Sequence, residues 1–514
     1  DEEKPAAAIF ADCDLDVGGK GALTVISSAN NGIHTKDDLE IKNLTLSVTC
    51  EDNALKGNDS VAVTGGTLTL IARAGDGIKT SSTDISAKGK QKGSVTLSGG
   101  TWTHAANANA APQDGAGNYR LWVKSGGAFT VGADATISAV GKGYRPEKGP
   151  GRHTNQGGGS HGGRGGSTGA ESAKCNGSFR CPEFLGSGGS SVSFSSVAGG
   201  AIKIIAGGAL TVNGRIDADA SPYKVDTTGT CQYYAGSGGS IWLTGATVTG
   251  SGTLTARGGA VTTAGAGGGG RIAVHVTDSD DVSSFNPIVL LCGRTGGSRA
   301  AAGGTYYLQT KSDNGAGKLT VYGISASSSA PRTNVSEIDV SVDATTHVKQ
   351  LVLSDNAQFA VPSGAVFEVD DVVATESGTA NKLCLSGGTL KIPGEYKWTS
   401  AQLNVRTDGS AIEFTGVGTR LCASGAGGKL IIDAPITING DVVLENGAKL
   451  THSENGSTPS YSLSLDITGD LTVDAASSID VTGMGYPDKQ GPGKSNSGSI
   501  HGGSHGGFSI NPGS

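Results

Sequence analysis

Long apolar runs are missing from this chain. Nowhere do 18 or more apolar residues follow one another, which excludes a membrane-spanning helix. Aromatic residues are scarce at 5%, methionine occurs once, and 17% of residues are charged. With no basic stripe, no aromatic-plus-arginine platform and a net charge of −7, nucleic acid is not an expected partner. No CxxC pair or Cys/His cluster has zinc spacing. The glycines of GAGGGGRI are not followed by a phosphate-binding lysine, so there is no P-loop, and SGGSS has no strand–turn–helix context for a nucleophile elbow. The opening DEEKPAAAIFADC lacks the basic and apolar regions of a signal peptide and reads as a mature terminus or an artificial boundary. No amphipathic helix of ten residues is legible. These absences leave a chain built from short strands.

What fills the sequence is glycine, 86 residues of it, together with Val, Ile, Leu, Ala, Ser and Thr. Repeats organise it. GALTVISSANNGIHTKDDLEI (21–41), NLTLSVTCEDNALKGNDSVAV (43–63) and GTLTLIARAGDGIKTSSTDIS (66–86) align, with anchors Asn31, Asn53 and Asp76 spaced 22 and 23 residues. Each copy runs from an apolar-Thr-apolar strand to an Asn or Asp, an apolar residue, and a Lys or His. A period in the low twenties with Asn/Asp/Gly corners is that of one coil of a parallel β-helix, whose strands stack at about 4.8 Å per coil. Right-handed coiling is the default for such crossovers. Further on, GGAIKIIAGGALTVNGRIDADA (199–220) aligns with GGSIWLTGATVTGSGTLTARGG (238–259), which puts Ile202 over Ile241 and Ile216 over Leu254.

A third, longer repeat links FTVGADATISAVGKGY (129–144) with LTVDAASSIDVTGMGY (471–486). Phe129 and Leu471, Ile137 and Ile479, Tyr144 and Tyr486, and the two Gly-Pro-Gly motifs at 149–151 and 491–493 are all 342 positions apart. Each copy runs into a glycine-rich segment containing Ser-His-Gly-Gly, expected as a surface loop and, in a fibre, as a lateral contact. The expected fold is all-β, a right-handed parallel β-helix with glycine-rich loops. Its parts are 22-residue NGIK-type coils over 1–110, coils with glycine-rich loops over 111–320, and a continuation over 321–514 that starts a second unit of about 342 residues.

The NGIHTKDDLEI, NALKGNDSVAV and DGIKT segments resemble a family of secreted carbohydrate-binding β-helix proteins that carry a repeated D-G-I-K-x-K-D-x-L-x-I turn on a pectate-lyase-like solenoid. The resemblance covers residues 21 to about 100 and implies binding of plant polysaccharide and calcium without cleavage. It makes Asp37, Asp38, Asp59 and Asp76 the candidate Ca²⁺ ligands, since stacked turns would supply oxygens to an ion that takes six to eight. The competing reading is that these acids cap turns. Lys36, Lys56 and Lys79, with His34, are the candidate ladder for acidic sugars, against a solvated face. The SHGG loops resemble large repetitive surface and appendage proteins of the mastigoneme type; His161, His501 and His505 there read as metal ligands or as simple loop histidines.

Catalysis of the pectate-lyase kind would need an arginine in register with the acidic turns. Arg73, Arg120, Arg145, Arg152, Arg257 and Arg271 do not recur in that register, so no enzyme is expected. Trp102, Trp122, Trp242 and Trp398 are candidates for stacking on sugar rings, with Trp242 also reading as core. Eight scattered cysteines and five sequons, at Asn43, Asn58, Asn176, Asn334 and Asn455, fit an extracellular glycoprotein. Cys175 and Cys181 are the expected disulfide; Asn176 and Asn455 are the foremost sugar acceptors. The sequence thus reads as a secreted structural protein that self-associates, or joins other surface-fibre proteins, into a rod or filament. The alternative is a calcium-assisted module for an acidic glycan or cellulose.

Overall fold

The computed structural model describes residues 7–87, 89, 91–107, 119–153, 156–167, 173–190, 196–221, 234–261, 265–292, 299–324, 335–375, 381–394, 396–399, 401–416, 420–494 and 505. Among them the fold is nearly all β. The helical pieces are one α-helical turn, Val340–Asp343, and one 3-10 turn, Lys311–Asp313, and no helix is long and apolar enough to cross a membrane. The chain divides into two compact units, Asp1–Gln358 and Phe359–Ser514.

In the first unit one sheet stacks Ala7–Ala11 (β1), Asn31–Thr35 (β2), Leu55–Gly57 (β3), Ile78–Thr80 (β4), Leu121–Ser125 (β5), Ala201–Ala206 (β6), Ser240–Gly245 (β7), Arg271–Val276 (β8) and Thr305–Gln309 (β9) in sequence order, every pair parallel. A second sheet interleaves with it, running from Leu15–Gly18 through Asp38–Lys42, Ser60–Val63, Ser94–Thr103 and Phe129–Ser138 to Ile288–Leu290, also parallel. The two-residue period of a strand turns alternate side chains inward. Ile33, Leu55, Ile78, Val123, Ile204, Leu243 and Val274 therefore form one buried column in register. Full burial of each such side chain stabilises the fold by roughly 1.5–3 kcal/mol.

The corner anchors read from the sequence stack as expected. Asn53 donates from Nδ2 to Asn31 Oδ1 at 2.8 Å, and its own Oδ1 accepts from the Asp76 amide at 3.0 Å. A carboxamide column of this kind satisfies backbone donors that the turns would otherwise strand.

The glycine-rich segment 141–166 departs from expectation, because residues 157–163 are buried. The Gly162 amide donates to Gly269 O at 2.8 Å, Gly268 to Gly159 O at 2.9 Å and Gly186 to Gly199 O at 2.9 Å. Glycine is required here by closeness: a Cβ on Gly158 would lie 1.9 Å from Ala266 O, and one on Gly162 would lie 2.0 Å from Gly270 O. A second glycine stack precedes the strands, where a Cβ on Gly239 would meet Gly200 O at 1.9 Å and one on Gly270 would meet Gly239 O at 2.1 Å. The flat backbone expected to make lateral contacts between molecules makes them inside this chain.

The second unit is parallel too. Lys382–Ser386, Gln402–Thr407, Lys429–Ile432, Lys449–Thr451 and Ser478–Ile479 stack in order, as do Tyr396–Trp398, Arg420–Ser424, Asp441–Glu445 and Leu471–Val473. Ile436–Ile438 pairs with Leu465–Ile467.

The long repeat holds at the level of single hydrogen bonds. Lys148 N donates to Arg145 O at 3.1 Å, and Gln490 N to Pro487 O at 3.2 Å. Glu147 and Lys489 share a left-handed backbone, with φ of 62° and 61°. The repeat also reaches further upstream than the sequence comparison did. Asn107 donates to Tyr119 O and Lys142 O and accepts from the Tyr119 amide, while Asn455 does the same with Tyr461 and Met484.

Candidate functional site

The outward face of the β1–β9 sheet carries a stacked column of basic side chains. Lys56 and Lys79 alternate with buried neighbours, and the strand register stacks His34, Lys56, Lys79 and Lys124 in one column above Phe10. Among the described residues neither Lys56 nor Lys124 has an ion-pair partner, whereas Lys79 lies 3.8 Å from Asp76. Burial, reinforced by Lys56 and Lys36, lowers the His34 pKa. Burial also raises that of Asp76, against the pull of Lys79. Lys36, the third expected rung, stands off the column: it follows β2, pairs with Asp12 at 2.6 Å and lies over the Phe10 ring.

Two residues along, the same face becomes aromatic. Trp122, Lys203 and Trp242 are in register, and the Lys203 ammonium is sandwiched 5.3 Å and 3.9 Å from the two ring centroids. Glu183 anchors it from the side at 2.5 Å. Trp242 then abuts His275 at 5.8 Å, on the wall of a cleft of about 390 Å³ lined by Arg180, Glu183, Phe184, His275, Gln309 and Asp343. Burial lowers the His275 pKa, and its Nε2 lies 2.8 Å from Arg180 O. The cleft offers convergent polar groups beside one aromatic ring, the general make-up of a small-ligand site.

Three acids from a single segment, Glu337 and Asp343 buried and Asp339 half-buried, shape the cleft's loop. Glu337 accepts from the Cys175 amide at 2.7 Å, Asp339 from Gly177 at 2.7 Å, and Asp343 from the Phe179 amide and the Ser178 hydroxyl, each at 3.0 Å. This wrapping explains why Cys175 and Cys181 are free thiols and not the expected disulfide. Cys175 is buried with Sγ toward Val335 O, while Cys181 is exposed on the far side of the turn.

Of the four candidate calcium ligands, Asp37, Asp38 and Asp59 lie on neighbouring stacked turns, with Asp59 N donating to Asp37 O at 3.2 Å, and Asp76 stands apart. Asp37, Asp38 and Asp59 follow the carboxyl ends of β2 and β3, whereas Asp76 precedes the amino end of β4. Asp59 is neutralised by Lys92 at 2.6 Å, and Asp38 accepts from Ser60 Oγ at 2.6 Å.

The foremost sequon asparagines are also turned inward. Asn176 donates from Nδ2 to Ser160 O at 3.0 Å, and Asn455 to Tyr461 O at 2.9 Å, so the atom that would carry sugar is engaged in each. Asn43 is exposed and Asn58 half-buried; Asn334, Cys231 and His501 lie outside the described residues. His161 is buried, with Nδ1 3.0 Å from Asn176 Oδ1 and Nε2 2.9 Å from Ser240 Oγ, and is structural; His505 is exposed.

Trp102 and Trp398 are fully buried core, while Trp242 faces outward, which reverses its core reading. Lys124, Lys203 and the cleft were missed from sequence. A signal for Lys203 was present, since the alignment that puts Ile202 over Ile241 also puts Lys203 over Trp242. The cleft has no such signal, because Arg180 and Asp343 are 163 residues apart.

Residues 1–269 match the family model described as carbohydrate-binding domain-containing protein. No curated protein and no solved structure matches the chain.

Proposed function

This chain belongs to the carbohydrate-binding domain-containing family, and on that premise we propose that it binds a polysaccharide laid across successive strands of the β1–β9 sheet. One observation carries the reading. On a chain of net charge −7, a basic column in strict register continues into a tryptophan–lysine–tryptophan stack and ends at a polar cleft. Rungs repeating at the strand spacing of about 4.8 Å meet a polymer many times over, so weak contacts sum into avidity. Ammonium groups without internal partners favour an acidic polymer, because their hydrogen bonds to carboxylates are charge-assisted. The cleft would receive a sugar residue at the end of the track.

The alternating parallel sheets support a finer reading of the fold as coils of a right-handed parallel β-helix, the sense that parallel crossovers favour.

Affinity electrophoresis through gels containing polygalacturonate, paired with a cellulose pull-down, tests the proposal. Retardation by polygalacturonate that weakens in Lys56→Gln/Lys124→Gln is the expected result. Free migration with no cellulose binding would overturn it.

A further inference from the structure

The basic column does not stop at Lys124. Register carries it through Ile205 and Thr244 to His275 and Gln309, both on the wall of the cleft. The aromatic column beside it does stop. After Trp122, Lys203 and Trp242 its next rungs are Ala273 and Tyr307, which face outward and yet are fully buried. Arg271 and Thr305, outward on the same two strands, are fully buried as well. Their cover is the segment 175–184, which crosses the strands. The Asn176 carbonyl accepts from Arg271 Nε at 3.0 Å, and the Phe184 carbonyl from Ser240 Oγ at 2.6 Å. Arg180 O lies 2.8 Å from His275 Nε2, and the Phe179 ring packs edge-on against Tyr307 at 5.7 Å. Alanine at 273, where a third tryptophan would continue the stack, leaves room for this crossing. The track that lies open over β5, β6 and β7 is therefore walled off at β8 and β9, and only the cleft continues it.

We infer, on the premise of the polysaccharide reading above, that the cleft takes the terminal sugar residue of an acidic polysaccharide, so that this protein binds chain ends and not chain interiors. A polymer lying along the column meets the crossing segment and has no straight path beyond it. At about 390 Å³ the cleft sits at the small end of ligand pockets, which run from about 300 to 1,000 Å³, so it takes a short piece of polymer. Its chemistry suits an end. A terminal sugar carries a free hydroxyl where an interior one carries a glycosidic bond. Arg180 uses Nε and Nη2 on Asp343, and Gln309 accepts from the Tyr307 hydroxyl through Oε1. Arg180 Nη1 and Gln309 Nε2 have no hydrogen-bond partner among the described residues and are available to that hydroxyl. The charges of the cleft are already matched, Arg180 with Asp343 at 3.2 Å and Glu183 with Lys203 at 2.5 Å. Hydroxyls therefore fit there better than a further carboxylate, and the polymer's acid groups are left to the lysines of the column.

Isothermal titration calorimetry of the full chain with short, medium and long polygalacturonate fractions is the test. The expected result is one protein per polymer chain, whatever the polymer's length. Binding in proportion to polymer mass overturns end recognition and leaves the track reading standing, whereas no binding of any fraction overturns both. The ends themselves give a second reading. Borohydride reduction opens the terminal ring at one end, and fragments cut by a lyase lack a hydroxyl at the other. At least one of these changes should weaken binding tenfold or more, because a site built to hydrogen-bond a hydroxyl rejects a ligand without it. Equal affinity for all three kinds of fragment overturns the proposal. Gln309→Met, which keeps the volume and removes the donor, should erase the discrimination with far-UV circular dichroism unchanged. A folded variant that still discriminates would place end recognition outside the cleft and overturn its assignment.

Discussion

The ammonium of Lys203 lies 3.9 Å from the centroid of the Trp242 ring, closer than any other cation–ring pair among the described residues. A cation over an indole face contributes on the order of 0.5–2 kcal/mol, more as it is desolvated. Trp242→Ala should therefore release Lys203 toward Glu183, lower polysaccharide affinity about tenfold and leave the strand order intact. Affinity electrophoresis alongside circular dichroism checks both halves of that expectation.

The basic column makes a separate prediction about salt. Lys56→Gln and Lys124→Gln should each weaken retention on an acidic polymer and flatten its dependence on ionic strength, since exposed charges are screened over roughly 10 Å at 0.1 M salt. Lys36→Gln should do neither, because Lys36 is paired with Asp12 off the column. Equal losses from all three would point to bulk charge and not to register.

Acid should loosen the first unit. Burial holds the His104 and His161 imidazoles neutral down to a pH of about 3, against an ordinary value of 6.5. Between those values the unfolded chain binds more protons than the folded one, so stability is full above about pH 6.5 and declines as pH falls toward 3. Thermal melts at pH 7, 5.5 and 4 should show a falling midpoint. His161→Gln, which keeps a hydrogen-bonding side chain but cannot titrate, should show a shallower fall.

Glycine substitutions should split into two groups by position alone. Gly239→Ala would drive a methyl to within 1.9 Å of Gly200 O and should destabilise by about 1–3 kcal/mol or more, the range for overpacked interiors. Gly394→Ala meets nothing within 4 Å and should leave the melting temperature within a degree or so, in line with surface substitutions of about ±0.5 kcal/mol. Urea unfolding of the two variants measures the contrast.

The thiols should react in order of exposure. Burial pushes the Cys175 pKa up to about 12 and leaves its sulfur enclosed, so it should react with a disulfide reagent only on unfolding. Cys181, although its pKa is also raised by burial, is exposed and should react in the folded protein, as should the exposed Cys13. Non-reducing peptide mapping should find no Cys175–Cys181 crosslink.

Local periodicity was legible in the sequence because strand stacking copies it directly. Asn31, Asn53 and Asp76 align by eye and stack in space, as do Lys56 and Lys79. What was hidden depends on partners far along the chain. Nothing near Asn176 indicates that Arg271, 95 residues away, will donate to its carbonyl, or that Asp343 will shape the turn that keeps Cys175 from Cys181. Burial of the glycine segment was misread for a related reason. Surface loops and close-packed backbone both favour glycine, and only the neighbours distinguish them.

The glycine stacks also bear on how this sequence can change over time. At most positions of a protein a substitution exchanges one set of atoms for another, and selection tolerates many exchanges. At Gly158, Gly162, Gly239 and Gly270 every possible substitution adds atoms where a carbonyl oxygen already stands. The stretches with the least variety of letters are therefore those with the least freedom to vary. In a library of random variants, the residues without side chains should be depleted of substitutions more severely than the charged rungs of the outer face.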